Sequence, residues 1–192
     1  VTNEKEDVSV EFELPSTWNE YLKRLNGKQR HEVRRKLRRL HETGTISYQT
    51  FDNKGALEEQ LDLFLHFFKE SRDDKNIFMT SDREAFFRSL TKAMAAEGLL
   101  RIGILKLNSR PVAAVLCFDY RDILYLYNSG YDPAYRHLSV GLISKVLCIK
   151  ESIKRGKKRF DFLKGAEAYK FRIGGKEIPL YRSRIVLAQS ER

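Results

Sequence analysis

Apolar positions along the chain change their period twice. Residues 16–43 carry them at helical spacing, with a break expected near Asn26-Gly27 and a narrow stripe of Val33, Leu37 and Leu40. Gly44 ends that segment, and the β-prone stretch 46–51 follows. Asp52-Asn53 offers an N-cap to a helix whose Leu57, Leu61, Phe64, Leu65 and Phe68 make a broad apolar face. Ser81-Asp-Arg-Glu84 has the spacing of a capping box; Phe87, Leu90 and Met94 share the face behind it, and Gly98 stops the helix.

From residue 99 the pattern becomes extended. Segments 99–107, 111–120 and 123–131 read as three strands joined by Asn108-Ser109-Arg110 and Arg121-Asp122, turns short enough for an antiparallel meander. The stretch VAAVLCF at 112–118 is apolar throughout, as a central strand covered on both faces requires. Leu142, Val146, Ile149 and Ile153 then lie at i, i+4, i+7 and i+11 of a long helix closed by Gly156. A strand at 159–163 follows. The intervening helix makes a crossover, which places this strand parallel to 123–131. A short helix at 167–173 and one or two strands within 178–187 complete a mixed α/β domain. Its core is expected at 45–192, with 1–44 as an N-terminal extension packed on it.

Composition narrows the class. The 192 residues are 42% apolar and 32% charged, ordinary values for a globular domain. The longest apolar run is 112–118, far short of the ~20 residues that cross a bilayer, and residues 1–15 lack the apolar segment of a signal peptide. A cytoplasmic location is expected. Because the sequence begins at Val1, it reads as the C-terminal part of a longer protein. Cys117 and Cys148 sit in apolar patterns without Cys-x-x-Cys spacing and are expected as buried free thiols. The four histidines are scattered, so no metal site is expected.

The net charge is +10, and its excess is local: nine basic residues lie between Lys23 and Arg39. Three readings remain open for this helix. It is a solvated face aided by pairs such as Glu32/Lys36, a surface that steers an anionic substrate, or a contact for RNA phosphates. No aromatic residue interleaves the arginines, which disfavours base stacking.

The candidate chemistry begins at YDPAYRHLSVGL, residues 131–142, between the third meander strand and the long helix. A helix N-terminus exposes unpaired amides and a partial positive charge, which suits phosphate. Ser139 and Gly141 are small enough to let a ligand reach the backbone, and Arg136 can pair with phosphate oxygens. The plain alternative is a Ser-capped helix after a loop.

The order of elements, with Arg136-His137-Leu138-Ser139-Val140-Gly141 between strand and helix, resembles the Gcn5-related N-acetyltransferase (GNAT) fold. That family seats the acyl-CoA pyrophosphate on a turn of pattern Gln/Arg-x-x-Gly-x-Gly/Ala. Arg136 and Gly141 match it, and Ser139 stands where the first Gly is usual. Tyr131-Asp-Pro133, Phe160-Asp-Phe-Leu-x-Gly165 and Tyr169-Lys170 further resemble the branch containing acyltransferases associated with cellulose and exopolysaccharide synthesis, related to the Fem-type peptidyltransferases. The resemblance implies a GNAT fold with a mostly antiparallel sheet whose fourth and fifth strands splay apart.

It also implies site residues. The backbone of Asn128, Ser129, Gly130 and Tyr131 would hold the pantetheine amides, and residues 136–141 the pyrophosphate. Tyr169 is the candidate proton donor to the departing thiolate, and Lys170 would compensate anionic charge. Asp161, Glu167 and Asp132 are candidate bases, with alternation placing Asp161 opposite Phe160 and Phe162. The implied activity is transfer of an acyl group, in the first instance acetyl, from acyl-CoA to an amine or hydroxyl acceptor. A Fem-like transferase using aminoacyl-tRNA is the alternative enzyme, and a non-catalytic basic nucleic-acid-binding module the alternative without catalysis.

Overall fold

The computed structural model describes residues 1–52 and 57–185. The expected meander is its centre: β3 (Leu100–Leu107), β4 (Arg110–Tyr120) and β5 (Ile123–Tyr131) pair antiparallel in that order. β2 (Ile46–Phe51) adds to β3 at one edge. On the other side β6 (Arg159–Lys164) runs parallel to β5, as the crossover requires. β1 (Thr2–Glu13) and β7 (Lys176–Arg184) follow, giving the order β2-β3-β4-β5-β6-β1-β7. Residues 2–13, placed by sequence in the extension, are thus a strand between β6 and β7.

Alternation along β4 sorts the helices onto two faces. Val115 and Cys117 pack with α1 (Trp18–Arg24), α2 (Gly27–Thr43) and α6 (Val140–Lys154). Ala114 and Leu116 pack with α3 (Leu57–Glu70) and α5 (Ser81–Ala96). A short α4 (Asp73–Phe78) follows α3, and α7 (Ala168–Arg172) follows β6. The α6 residues Val140, Ile143, Val146 and Ile149 are wholly buried. Each contributes about 1.5–3 kcal/mol by leaving water, which fixes the helix on the sheet.

Local chemistry explains the element ends. The break between α1 and α2 is a capping box in which Asn26 and Gln29 satisfy each other's amides. The N-cap of α5 is Thr80, accepting from the Arg83 amide, rather than Ser81. Glu84 is drawn away from a capping role by Lys69 and Arg88. Gly98 and Gly156 take the left-handed conformation at their helix ends. The cap expected at Asn53 and the strand end at 186–187 lie outside the described residues. Cys117 and Cys148 are buried free thiols with their Sγ atoms 3.8 Å apart.

One irregularity positions the site. β5 stays paired with β4 to Tyr131, but pairs with β6 only through Ile123, Leu124 and Tyr125. β6 then follows β1, so Leu126–Tyr131 has no β6 partner and a wedge opens between the two strands. A bulge at Tyr127, between the pairs Leu116–Asn128 and Cys117–Leu126, adds local twist where the strands part.

Candidate active site

The wedge leads into a cleft of about 250 Å³, closed at one end by the start of α6 and flanked by Tyr169 of α7. The preceding segment Pro133–Leu138 is a 3-10 turn that ends on Ser139 in the left-handed conformation (φ 59°, ψ 33°). That conformation explains why glycine suits this position. The Ser139 carbonyl accepts from the amides of Leu142 and Ile143. The amides of Val140 and Gly141 have no hydrogen-bond partner among the described residues. Both belong to cleft-lining residues. The plain Ser-cap alternative is not what forms: the Ser139 hydroxyl caps no amide and instead accepts from Lys36 Nζ of α2 at 2.7 Å.

Gly141 is small for a reason not visible in sequence. A Cβ there would lie 2.7 Å from the Tyr131 ring, so the side-chain vacancy is filled by Tyr131. A branched residue at 141 therefore strikes Tyr131 before it meets any ligand.

Four cations border the cleft: Arg72, Lys75, Arg136 and Lys145, with no carboxylate among the lining residues. Lys145 is only 7% exposed; its ammonium donates to the Gly141 carbonyl at 2.7 Å and sits 4.8 Å from the Tyr169 ring centre. Burial, and then Lys75, push its pKa down to about 7. Lys75 donates to the Ser129 carbonyl at 2.5 Å, and burial, then Arg72, push it down to about 8 against the pull of Asp74 and Glu167. Arg72 is engaged bidentately by Asp74.

The structure brings Ser129, Tyr131, Arg136, Ser139, Val140, Gly141 and Tyr169 to one cleft. Other expected positions lie elsewhere. Gly130 is buried under α3, where a Cβ would come within 2.3 Å of the Phe67–Phe68 backbone. Asn128 turns its side chain to the Ser129 amide, His137 is exposed, and Leu138 is a core residue. The Ser129 carbonyl, one of the groups assigned to pantetheine, is occupied by Lys75.

Among the catalytic candidates, Tyr169 alone faces the cleft. Burial, and then Glu167, hold its phenol well above the ordinary tyrosine pKa. Lys170 is only 2% exposed and does not line the cleft. It donates to the carbonyls of Leu163, Lys164 and Gly165 at 2.9–3.0 Å and pairs with Glu167 at 2.9 Å. Leu163 and Gly165 both have positive φ, so Lys170 holds together the sharp turn that ends β6. Glu167 is half exposed. Burial is the largest single influence and works to raise its pKa, but the Lys170 hydrogen bond, a backbone hydrogen bond and the charges of Lys170 and Arg72 together leave it lowered. Asp161 accepts from the Leu163 amide at 2.7 Å and from Ser9. Asp132 caps Ala134 and pairs with Arg110. All three carboxylates are engaged by the fold.

Lys75 and Lys145 escaped the sequence reading, and Lys36 entered it only as a partner of Glu32 on the basic helix. The signal for Lys145 was present: it stands three residues after Leu142 and four before Ile149, on the apolar arc of α6. Lys75 carries no comparable signal.

Residues 27–171 match the Acetyltransferase (GNAT) domain family. No curated protein matches the chain. Among solved structures, FemX superposes with a TM-score of 0.69 at 12% identity, over 91% of this chain and 60% of that one. L-PGS from Bacillus licheniformis gives 0.61 at 11%, over 94% and 60%. A GCN5-related N-acetyltransferase from Sphaerobacter thermophilus gives 0.50 at 13%, over 92% and 50%. At these identities the likeness is one of fold, and the chain spans 50–60% of the length of those structures. The splayed sheet and the matched stretch agree: the chain belongs to the GNAT acetyltransferase domain family.

Proposed function

We propose that this chain transfers an acyl group, in the first instance acetyl, from acyl-CoA to an amine or hydroxyl of a small or cell-envelope acceptor, including exopolysaccharide precursors, in the cytoplasm. The observation that carries this reading is the pair of unpartnered amides at Val140 and Gly141, opening beside Arg136 and Lys145 where β5 and β6 part. A pyrophosphate there meets the two backbone donors of the helix N-terminus and two cations. The thioester then lies along the wedge, below Tyr131.

In the transfer the acceptor nitrogen attacks the thioester carbon, the C–S bond breaks, and the thiolate takes up the proton the nitrogen releases. Asp161, Asp132 and Glu167 are engaged by the fold, so in this reading positioning and solvent, rather than one of these carboxylates, carry the deprotonation. Tyr169 stays neutral through burial and acts as a hydrogen-bond donor to the departing sulfur. Full transfer of its proton would run uphill. Calorimetry with acetyl-CoA tests the proposal: saturable binding that weakens in Arg136→Ala supports it. Absence of binding to any acyl-CoA, together with salt-sensitive tRNA or DNA binding, overturns it.

A second reading, aminoacyl-tRNA as donor, is favoured by one contact. Lys36 links the basic α2 to Ser139, so the exposed Arg34, Arg35, Arg38 and Arg39 lie on the helix that reaches the cleft. Glu32 engages Arg35 and Lys36, which tempers that surface.

A further inference from the structure

Lys75 and Lys145 reach the cleft from opposite sides of the sheet. Lys145 belongs to α6, whose Val146 and Ile149 pack on the Val115–Cys117 face of β4. Lys75 belongs to α4, which follows α3, whose Phe64 and Phe68 pack on the Ala114–Leu116 face. Both line one cleft because β5 and β6 have parted between them. The cleft therefore has walls from both faces of the sheet, and its α6 side and α4 side are here called its two mouths.

The α6 mouth holds the open amides, Arg136, Lys145 and, beside Ser139, Lys36. These suit the donor. The two carboxylates whose charge acts on Lys75 are already engaged, Asp74 by Arg72 and Glu167 by Lys170, while Asp73 of α4 is exposed. Lys75 has no carboxylate of its own among the described residues. Its ammonium rests on the Ser129 carbonyl, with the Phe68 ring centre 4.6 Å away. A half-buried ammonium on a neutral carbonyl is poorly compensated, and an oxyanion is the ligand that compensates it.

Resting on the reading that the donor takes the α6 mouth, we propose that Lys75 receives an anionic group of the acceptor. The acceptor is then a negatively charged amine or alcohol, carrying a phosphate or a carboxylate, that enters from the α4 face. Swinging from the Ser129 carbonyl onto that anion, Lys75 also frees the carbonyl for an amide of the donor. The lowered pKa of Lys75 fits this resting state, since an anion beside it raises the pKa again.

The test uses matched pairs of small amines with and without the anion, titrated calorimetrically into the whole chain saturated with CoA. O-phosphoethanolamine is compared with ethanolamine, and β-alanine with its amide, so that the two pairs distinguish phosphate from carboxylate. At least one anionic member should bind about tenfold or more tightly than its neutral partner. That preference should collapse in Lys75→Met and survive in Lys75→Arg. Equal binding within both pairs, or a preference untouched in Lys75→Met, overturns the proposal. If CoA itself does not bind, the donor reading fails. The same titrations on the free protein then decide the Lys75 site alone, with the same outcomes supporting or overturning it.

Discussion

Lys170→Met separates two roles for the lysine of the Tyr169-Lys170 pair. In the structure its ammonium satisfies three carbonyls and one carboxylate from a site 2% exposed. Methionine keeps the length of the stem but removes every donor. Each charged hydrogen bond contributes about 1.5–3 kcal/mol, and rehydration of the half-exposed Glu167 returns part of the loss. A net cost of about 3–5 kcal/mol remains, the range for removing one partner of a buried pair. In a domain of this size each kcal/mol moves the melting temperature by about 2–4 °C, so a fall of roughly 6–20 °C is expected. Thermal unfolding followed by circular dichroism, with Lys170→Arg as a control that retains donors, makes the measurement. If Lys170→Met melts with the wild type yet loses acyl transfer, the ammonium serves the reaction and the turn-holding role is refuted.

Ser139→Gly should raise stability by about 0.5–1 kcal/mol, because a left-handed residue gains from losing its Cβ and only the Lys36 hydrogen bond opposes it; a urea midpoint at or below wild type contradicts this. Gly130→Ala drives a methyl into the Phe67–Phe68 backbone and should cost about 3 kcal/mol or more by separating α3 from β5, read by the same unfolding curve. Lys145 has a folded pKa of about 7 against 10.5 for an ordinary lysine, so between those values the unfolded chain holds more protons and stability climbs with pH. The penalty is full below pH 7 and gone above pH 10.5. Lys145→Met should therefore be more stable than wild type by a few kcal/mol, on the order given by the linkage, at pH 6, with the gap closing on the alkaline side. A gap independent of pH would show that the buried amine is not the cause.

Much of the fold could be read locally. The meander, α6 and the parallel β6 are written in the period of their apolar residues, with Gly98 and Gly156 as punctuation, and each forms from neighbours in sequence. β1 was missed because only Val10 within it is fully buried and its partners lie some 150 residues downstream. The same limit applied to the site. Ser139 and Gly141 stood out by motif, yet the reason Gly141 is small is the Tyr131 ring, a tertiary fact. Lys170 entered as a candidate through the resemblance of Tyr169-Lys170 to a family motif, and a motif does not say where an ammonium points. Only the folded turn shows three carbonyls waiting for it. Lys75 came into view last, since its importance arises from a gap between strands rather than from its own neighbours.

The placement of β1 has a consequence for how the molecule is made. Thr2 pairs with Arg184, and Glu13 with Arg159, so β1 is synthesised some 150 residues before the nearer of its two neighbours. Until β6 emerges, β1 has no partner strand within the domain, and an unpaired segment of this kind invites association between nascent chains. Glu6 and Asp7 meet this interval with negative charge, which disfavours contact between copies, and later receive Arg182 and Lys164 respectively. Glu6 and Asp7 thus carry negative charge on the strand before pairing and become ion-pair partners once the sheet has closed.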